Sequence, residues 1–251
     1  MKHVLALTKN VRKFMQATDD LLNRPMGTEG MGLLWGEPGE GKSTAVARVC
    51  DKYDGVYVRA LGCWTVTSML GSICRELGAE RKLRRADMVD DIVHELRKDN
   101  GPLRPIFIDE ADYCFRQMEM VDSLRDIYDQ SGCPVIMIGM EEIARKIKTN
   151  ARIARRITQW CEFKGLDLED VKTVAEECCE VMISEDLCQY LHKECNANIG
   201  RIIIGLTKIE KLAKASRLAV MDCAAWGNKP LYFDQPTFSK RSKNNGNGGA
   251  L

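Results

Sequence analysis

No apolar run in this chain of 251 residues approaches the roughly 18 residues needed to cross a bilayer, so a membrane span is not expected. The first 25 residues carry Lys9, Arg12, Asp19 and Asp20, which is not the pattern of a secretory leader. Charge of one sign is not in excess. With 37 basic and 36 acidic residues the net charge is +1, so attraction to nucleic acid has to come from local patches. Histidine is scarce, and His3, His94 and His192 fall in no ligand or catalytic spacing. The eleven cysteines form no C-x-x-C pair, and zinc-site spacing is absent. Most sit inside apolar patterns, as at Cys50, Cys74, Cys133 and Cys178. That predicts reduced, mostly buried thiols in a cytoplasmic compartment, and nothing beside Cys178-Cys179 argues for redox chemistry. Apolar content of 45% and charged content of 29% are ordinary for a globular protein. The length fits one large domain, or one domain with a small helical appendage.

What is present is concentrated in Gly36-Glu37-Pro38-Gly39-Glu40-Gly41-Lys42-Ser43, followed by Thr44. It matches G-x-x-x-x-G-K-[ST], the phosphate-binding loop. Met31 to Trp35 before it reads as a short buried strand, and Thr44 to Tyr53 after it as a helix, the context that the motif requires. Glycines let the backbone turn with its N–H groups pointing inward, and the helix start adds its positive dipole end. Lys42 is expected to reach the β- and γ-phosphates of ATP, and Ser43 to ligate Mg²⁺.

Strands and helices alternate beyond this point. The periodicity predicts a helix over residues 8–23, a strand at Val56-Tyr57-Val58, and helices from Val66 to Leu77 and from Ala86 to Lys98, the latter closed by Asn100-Gly101-Pro102. Pro105-Ile106-Phe107-Ile108-Asp109-Glu110 is an apolar run ending in two acids, the mark of a central parallel strand buried on both faces. A helix from Met118 to Gln130 and a strand from Pro134 to Ile138 complete an α/β pattern, a three-layer parallel sheet with helices on both sides. After about residue 165 only helices are expected: Leu168 to Met182, Glu185 to Cys195 and Asn198 to Ser216, with Asp167 or Ser184 as caps and Leu218 to Ala225 as an extension. The expected organisation is a core over 1–165, a small all-helical lid over 166–226, and a polar, glycine-rich, disordered tail over 227–251.

Asp109-Glu110 supplies the second half of a nucleotide site. The first acid can hold Mg²⁺ through its water shell, and the second can accept a proton from the water that attacks the γ-phosphate. Asp112 reads as a helix cap. Trp35 and Trp64 read as core or interface aromatics.

A phosphate loop followed about seventy residues later by an apolar strand and Asp-Glu resembles the AAA+ ATPases, a P-loop NTPase family. Arg152-Ile-Ala-Arg155-Arg156-Ile resembles that family's arginine-finger segment, and Asn198-Ile-Gly-Arg201 its sensor-2 segment at the start of a lid helix. Residues Glu29 to Ser43 and Gly55-Val-Tyr-Val-Arg are similar to the DNA-transposition regulators, the phage Mu transposition protein B and related transposon target-selection ATPases. The resemblance covers roughly residues 5–215. It implies ATP-dependent assembly of a homo-oligomer or filament on duplex DNA, with ATP at the subunit interface, a transposase as partner, and a bacterial host's cytoplasm as location. It further implies catalytic roles for Glu110, for Arg156 ahead of Arg152 acting in trans, and for Arg201 acting from the lid. On a helix, Arg152 and Arg156 would share a face.

By the same analogy Arg59, Thr65 and the cluster Arg81, Lys82, Arg84 and Arg85 are candidate DNA-backbone contacts, with Lys240, Arg241 and Lys243 adding nonspecific attraction. Two departures stand out. The additional DNA-binding domain that precedes the ATPase in the phage protein is not expected here, and Met140 falls where a polar sensor-1 residue is usual, which implies slow hydrolysis. The alternative is a replication-initiator or helicase-loader ATPase with the same core. A winged-helix module at the carboxyl end would favour the initiator class, and about 35 residues after Ser216 are expected to be too few for one. A STAND-type signalling switch would bring a repeat array, and the lid with the acid pair suits water as acceptor better than it suits a small-molecule kinase.

Overall fold

The computed structural model describes residues 1–231 apart from 3, 99, 100 and 228. Asn100, His3 and the basic tail with Lys240, Arg241 and Lys243 lie outside the described residues. Five parallel strands form one sheet: β1 (Met31–Trp35), β2 (Val56–Arg59), β3 (Ile106–Asp109), β4 (Val135–Gly139) and β5 (Ile157–Glu162). Their spatial order is β2-β3-β4-β1-β5. Side chains alternate across a strand, and both faces are covered here. Met31, Leu33, Val58, Ile108 and Met137 bury into the cluster on one face, whereas Leu34, Phe107, Ile136 and Ile138 bury into the other.

The first face is covered by α3 (Val66–Leu77), α4 (Arg85–Arg97), α5 (Met118–Ser131), α6 (Glu141–Thr149) and the single turn α7 (Ala151–Ala154). The opposite face is covered by α1 (Lys9–Leu22) and α2 (Lys42–Lys52). Phe14 of α1 seats its ring edge-on against Phe107 of β3 and Phe163, each with centroids 6.2 Å apart. The three-layer α/β expectation holds. Trp64 is buried, and Trp35 packs edge-on against Trp160.

A second apolar cluster gathers α8 (Leu168–Cys178), α9 (Glu185–Glu194), α10 (Ile199–Ala215) and α11 (Cys223–Trp226). This part is not wholly helical. Strands β6 (Met182–Ile183) and β7 (Val220–Met221) pair in parallel, so the expected helix from Leu168 ends four residues early, at Cys178. Asp167 caps α8 by accepting from the Asp170 amide, but the Ser184 hydroxyl turns to Asp186 and caps nothing. The segment ahead of α1 packs here too. Ala6 is buried in the second cluster, the Lys2 amide bonds the Cys178 carbonyl, and the Lys9 amide bonds Asp170.

Eight of the eleven cysteines are buried and all are free. Burial pushes the Cys114 thiol up to about 12 and that of Cys161 up to about 11, which keeps both protonated at neutral pH. Among the described residues no helix is long and apolar enough to cross a membrane.

Phe14 tests the packing of α1 on the sheet. Phe14→Ala is expected to lower unfolding stability by about 3–5 kcal/mol in urea denaturation followed by circular dichroism.

Candidate nucleotide site

The glycine loop leaves β1 and turns into α2 through two residues in the left-handed region, Gly39 (φ 82°) and Gly41 (φ 78°). Gly41 is the cap of α2, so the free amides of the first helical turn face the loop's interior. Lys42 folds back over the loop, and its Nζ donates to the carbonyls of Gly36 (2.7 Å) and Glu37 (2.8 Å). Burial lowers the Lys42 pKa, with Glu40, Asp109, Glu110 and Asp112 pulling it back up. Glu40 accepts from the Glu37 amide at 2.9 Å, and burial raises its carboxyl above the usual range.

Asp109 closes β3 and is 3% exposed. Its Oδ2 accepts from the Tyr57 hydroxyl at 2.7 Å and its Oδ1 from the Glu110 amide at 2.9 Å. Burial and that bond to Asp109 push the Tyr57 pKa up, so the phenol stays a donor. Glu110 itself sits in the left-handed region (φ 54°, ψ 36°), and its Oε1 is 3.1 Å from Arg59 Nη2. Tyr57 is a site residue that reading the motifs alone missed. Its signal was the alternation in β2, which turns Val56 and Val58 to one face and Tyr57 to the other.

Residues of the loop and the acid pair line one cavity of about 290 Å³, with Lys42, Ser43, Thr44, Asp109, Glu110 and Met140 in its wall. A mostly apolar cavity of about 440 Å³ shares Gly39, Glu40, Gly41 and Thr44 with it and continues between Leu5, Phe163, Ile199 and Ile203. A chamber lined by polar side chains and loop backbone, beside an apolar one that shares part of the loop, fits a phosphate chain with an attached flat base. Ser43 and Asp109 bring hard oxygen donors to the polar chamber. That suits an ion such as Mg²⁺, which keeps water and phosphate oxygens in its shell. Among the described residues no group of three or more His, Cys, Asp or Glu side chains forms a metal cage.

The start of α10 docks onto the loop. Asn198 Nδ2 donates to the Pro38 carbonyl (3.0 Å), its Oδ1 caps α10 through the Arg201 amide (3.1 Å), and the Gly200 amide bonds the Gly39 carbonyl (3.0 Å). The segment from Asn198 to Arg201 therefore lies at the phosphate loop, and Arg201 is exposed at the surface there.

The remaining expected residues scatter. Arg156 forms a two-pronged pair with Asp129 of α5 (3.0 and 2.7 Å). It does not share a helix with Arg152, because α7 ends at Ala154 and β5 takes the chain from Ile157. The Arg152 side chain is exposed and has no bonded partner among the described residues. Thr65 caps α3 in a reciprocal pair with Ser68. In the basic cluster, Lys82 pairs with Asp91, and Arg85 with Thr67 and Glu119. Arg81 lies against Gly71, and Arg84 is exposed at the cap of α4. Asp112 is not a helix cap: its carboxylate accepts from the Met140 amide at 3.0 Å.

Residues 24–147 match the family described as an AAA domain. No curated protein matches the chain. Among solved structures it is similar to Cdc6p from Pyrobaculum aerophilum, with a TM-score of 0.60 and 15% identity over 84% of this chain and 62% of that one. It is similar to the Aeropyrum pernix ORC2 protein in its ADPNP–ADP complexes, with a TM-score of 0.69 and 12% identity over 90% and 68%. It is also similar to the Aeropyrum pernix ORC1 protein in complex with DNA, with a TM-score of 0.61 and 16% identity over 89% and 64%. The chain spans less than two thirds of the Cdc6p and ORC1 chains. The fold is that of the AAA+ P-loop NTPases.

Asn198→Ala removes a cap and the tie to Pro38, about 1 kcal/mol each. Faster hydrogen exchange at residues 36–41 and at the first turn of α10, with the sheet unchanged, is the expected result.

Proposed function

We propose that the chain is an ATP-hydrolysing AAA+ protein of the replication-initiator or helicase-loader type, working as an oligomer on duplex DNA. The observation that carries this reading is the convergence of loop amides, Lys42, Ser43 and the Asp109–Glu110 pair on one polar cavity beside an apolar one. The likeness to Cdc6p and to ORC1 solved with DNA supports the choice of class.

Lys42 would leave the Gly36 and Glu37 carbonyls for the β- and γ-phosphates, exchanging neutral acceptors for charged ones. Ser43 and Asp109 would hold Mg²⁺. With both oxygens of Asp109 already accepting, its hold would run through the ion's waters. The bound ion would offset charge on the phosphate oxygens. Glu110 would take the proton of the attacking water once it leaves Arg59. Arg201 would meet the phosphates from the start of α10. Between Arg152 and Arg156, Arg152 is the better candidate to reach a neighbouring subunit's ATP, because Arg156 is held by Asp129.

Contacts to DNA would come from Arg81 and Arg84, and from Arg59 once it leaves Glu110, with Thr65, Lys82 and Arg85 engaged within the protomer. Backbone contacts of this kind predict weak sequence preference and a steep salt dependence. The transposition-regulator reading, with a transposase as partner, rests on the wording of residues 29–43 and 55–59. The structural likenesses fit the initiator or loader reading better. Direct binding to a purified replicative helicase, against binding to a purified transposase, separates the two.

Lys42→Ala is expected to weaken ATP binding about 10- to 100-fold, read by fluorescent-nucleotide titration. Glu110→Gln is expected to keep nucleotide affinity, slow hydrolysis on the order of 10²-fold or more, and prolong ATP-dependent residence on duplex DNA. Normal turnover in Glu110→Gln would remove Glu110 from the role of base. Arg152→Ala is expected to slow hydrolysis in the DNA-bound assembly while leaving the protomer's nucleotide affinity alone; equal losses in both would count against action in trans.

A further inference from the structure

Glu110 carries the proposed general base on a backbone that a residue with a Cβ adopts only under constraint: φ is 54° and ψ 36°. Something has to hold it there. The side chain is held by Arg59, but that arginine is 61% exposed, and an ion pair in water is a weak and exchangeable hold. On the N-terminal side the Glu110 amide is fixed by Asp109 Oδ1. On the C-terminal side the chain enters a 3₁₀ turn, Ala111–Arg116, whose Tyr113 amide bonds the Glu110 carbonyl at 3.1 Å. Ala111 and Cys114 of that turn are fully buried and seat it in the core, and a polar tie joins it to the neighbouring strand.

That polar tie is made by Asp112. Its carboxylate crosses from the end of β3 to the end of β4 and accepts from the Met140 amide at 3.0 Å. The same carboxylate lies over Gly139, where any Cβ would collide with it. Asp112 thereby fills the space at the end of β4 that a side chain of that strand would otherwise take, while Met140 turns outward, 46% exposed. Gly139, Met140 and Glu110 line the same polar cavity.

We propose that Asp112 is a positioning residue that, through its bond to the Met140 amide, pins the turn after Glu110 to β4 and so keeps Glu110 in its left-handed conformation facing the polar cavity. The proposal rests on the reading of Glu110 as base. What the geometry requires of Asp112 is an acceptor oxygen of the right reach, not a negative charge. Asparagine supplies that oxygen with nearly the same shape, and alanine does not.

The test compares Asp112→Ala and Asp112→Asn in the full chain by two readouts. The first is ATP turnover beside affinity for a fluorescent ATP analogue. Asp112→Ala is expected to lower kcat about 10- to 100-fold, the scale of a misplaced catalytic group, with affinity within about two-fold of the parent. Asp112→Asn is expected to keep most of the turnover. The second is amide hydrogen exchange at Met140 and at Glu110 to Tyr113, which needs no catalysis. It is expected to accelerate in Asp112→Ala and stay near the parent rate in Asp112→Asn. Unchanged exchange in Asp112→Ala overturns the proposal. So does a Asp112→Asn variant as inactive as Asp112→Ala with binding intact, because the charge itself would then be at work. Joint loss of affinity and turnover in both variants overturns it in favour of a general folding role. A parent protein that binds ATP without turning it over strikes the reading of Glu110 instead, and the exchange data still decide the role of Asp112.

Discussion

The strand order is the constraint on which the site depends. β4 lies between β1 and β3, so the glycine loop and the acid pair leave the same edge of the sheet two strands apart, about 10 Å at ordinary strand spacing. That gap suits the end of a triphosphate with a hydrated cation. It also makes the end of β4 the floor of the site. Gly139 and Met140 stand there, with the Asp112 carboxylate lying over Gly139 and accepting from the Met140 amide. A parallel sheet buried on both faces makes this arrangement rigid. Leu33 and Leu34, neighbours in β1, bury into opposite cores and leave the strand no freedom to slide.

The second constraint is the closure of the apolar chamber. Its walls come from the segment ahead of α1, from the phosphate loop, from Phe163 beyond β5, and from the start of α10. None of these is a site alone. The start of α10 contributes through main-chain and amide bonds, Asn198 to Pro38 and Gly200 to Gly39, which place its N-terminus against the loop. The segment ahead of α1 packs on the second apolar cluster while α1 itself packs on the sheet. The chamber is therefore bounded on two sides by parts that pack on the second apolar cluster.

Several ion pairs engage side chains with proposed roles in the site. Arg59–Glu110 and Arg156–Asp129 both occupy side chains that the nucleotide chemistry would otherwise claim. Exposed pairs of the first kind contribute little to folding and exchange partners readily. The second is less exposed, with Arg156 19% accessible and gripped through two nitrogens, and it ties the start of β5 to α5. The basic cluster from Arg81 to Arg85 is likewise partly spent, since Lys82 and Arg85 already face carboxylates.

The glycine loop, the acid pair and strands β1, β3 and β4 were legible in the sequence because each is a local signal. Turn glycines must recur at set positions, and a strand buried on two faces must be apolar throughout. β5 was not legible, because an edge strand half open to solvent carries Thr158 and Gln159 where a central strand carries valine or isoleucine. The short strands β6 and β7 were hidden for a similar reason, since two-residue pairings leave no periodicity. Only the tertiary structure decided that Tyr57 donates to Asp109, that Arg156 is held by Asp129, that Thr65 is a cap, and that Asp112 reaches the Met140 amide. A motif records what the backbone needs within a few residues. Which partner a long polar side chain meets depends on how strands far apart in the chain are brought side by side.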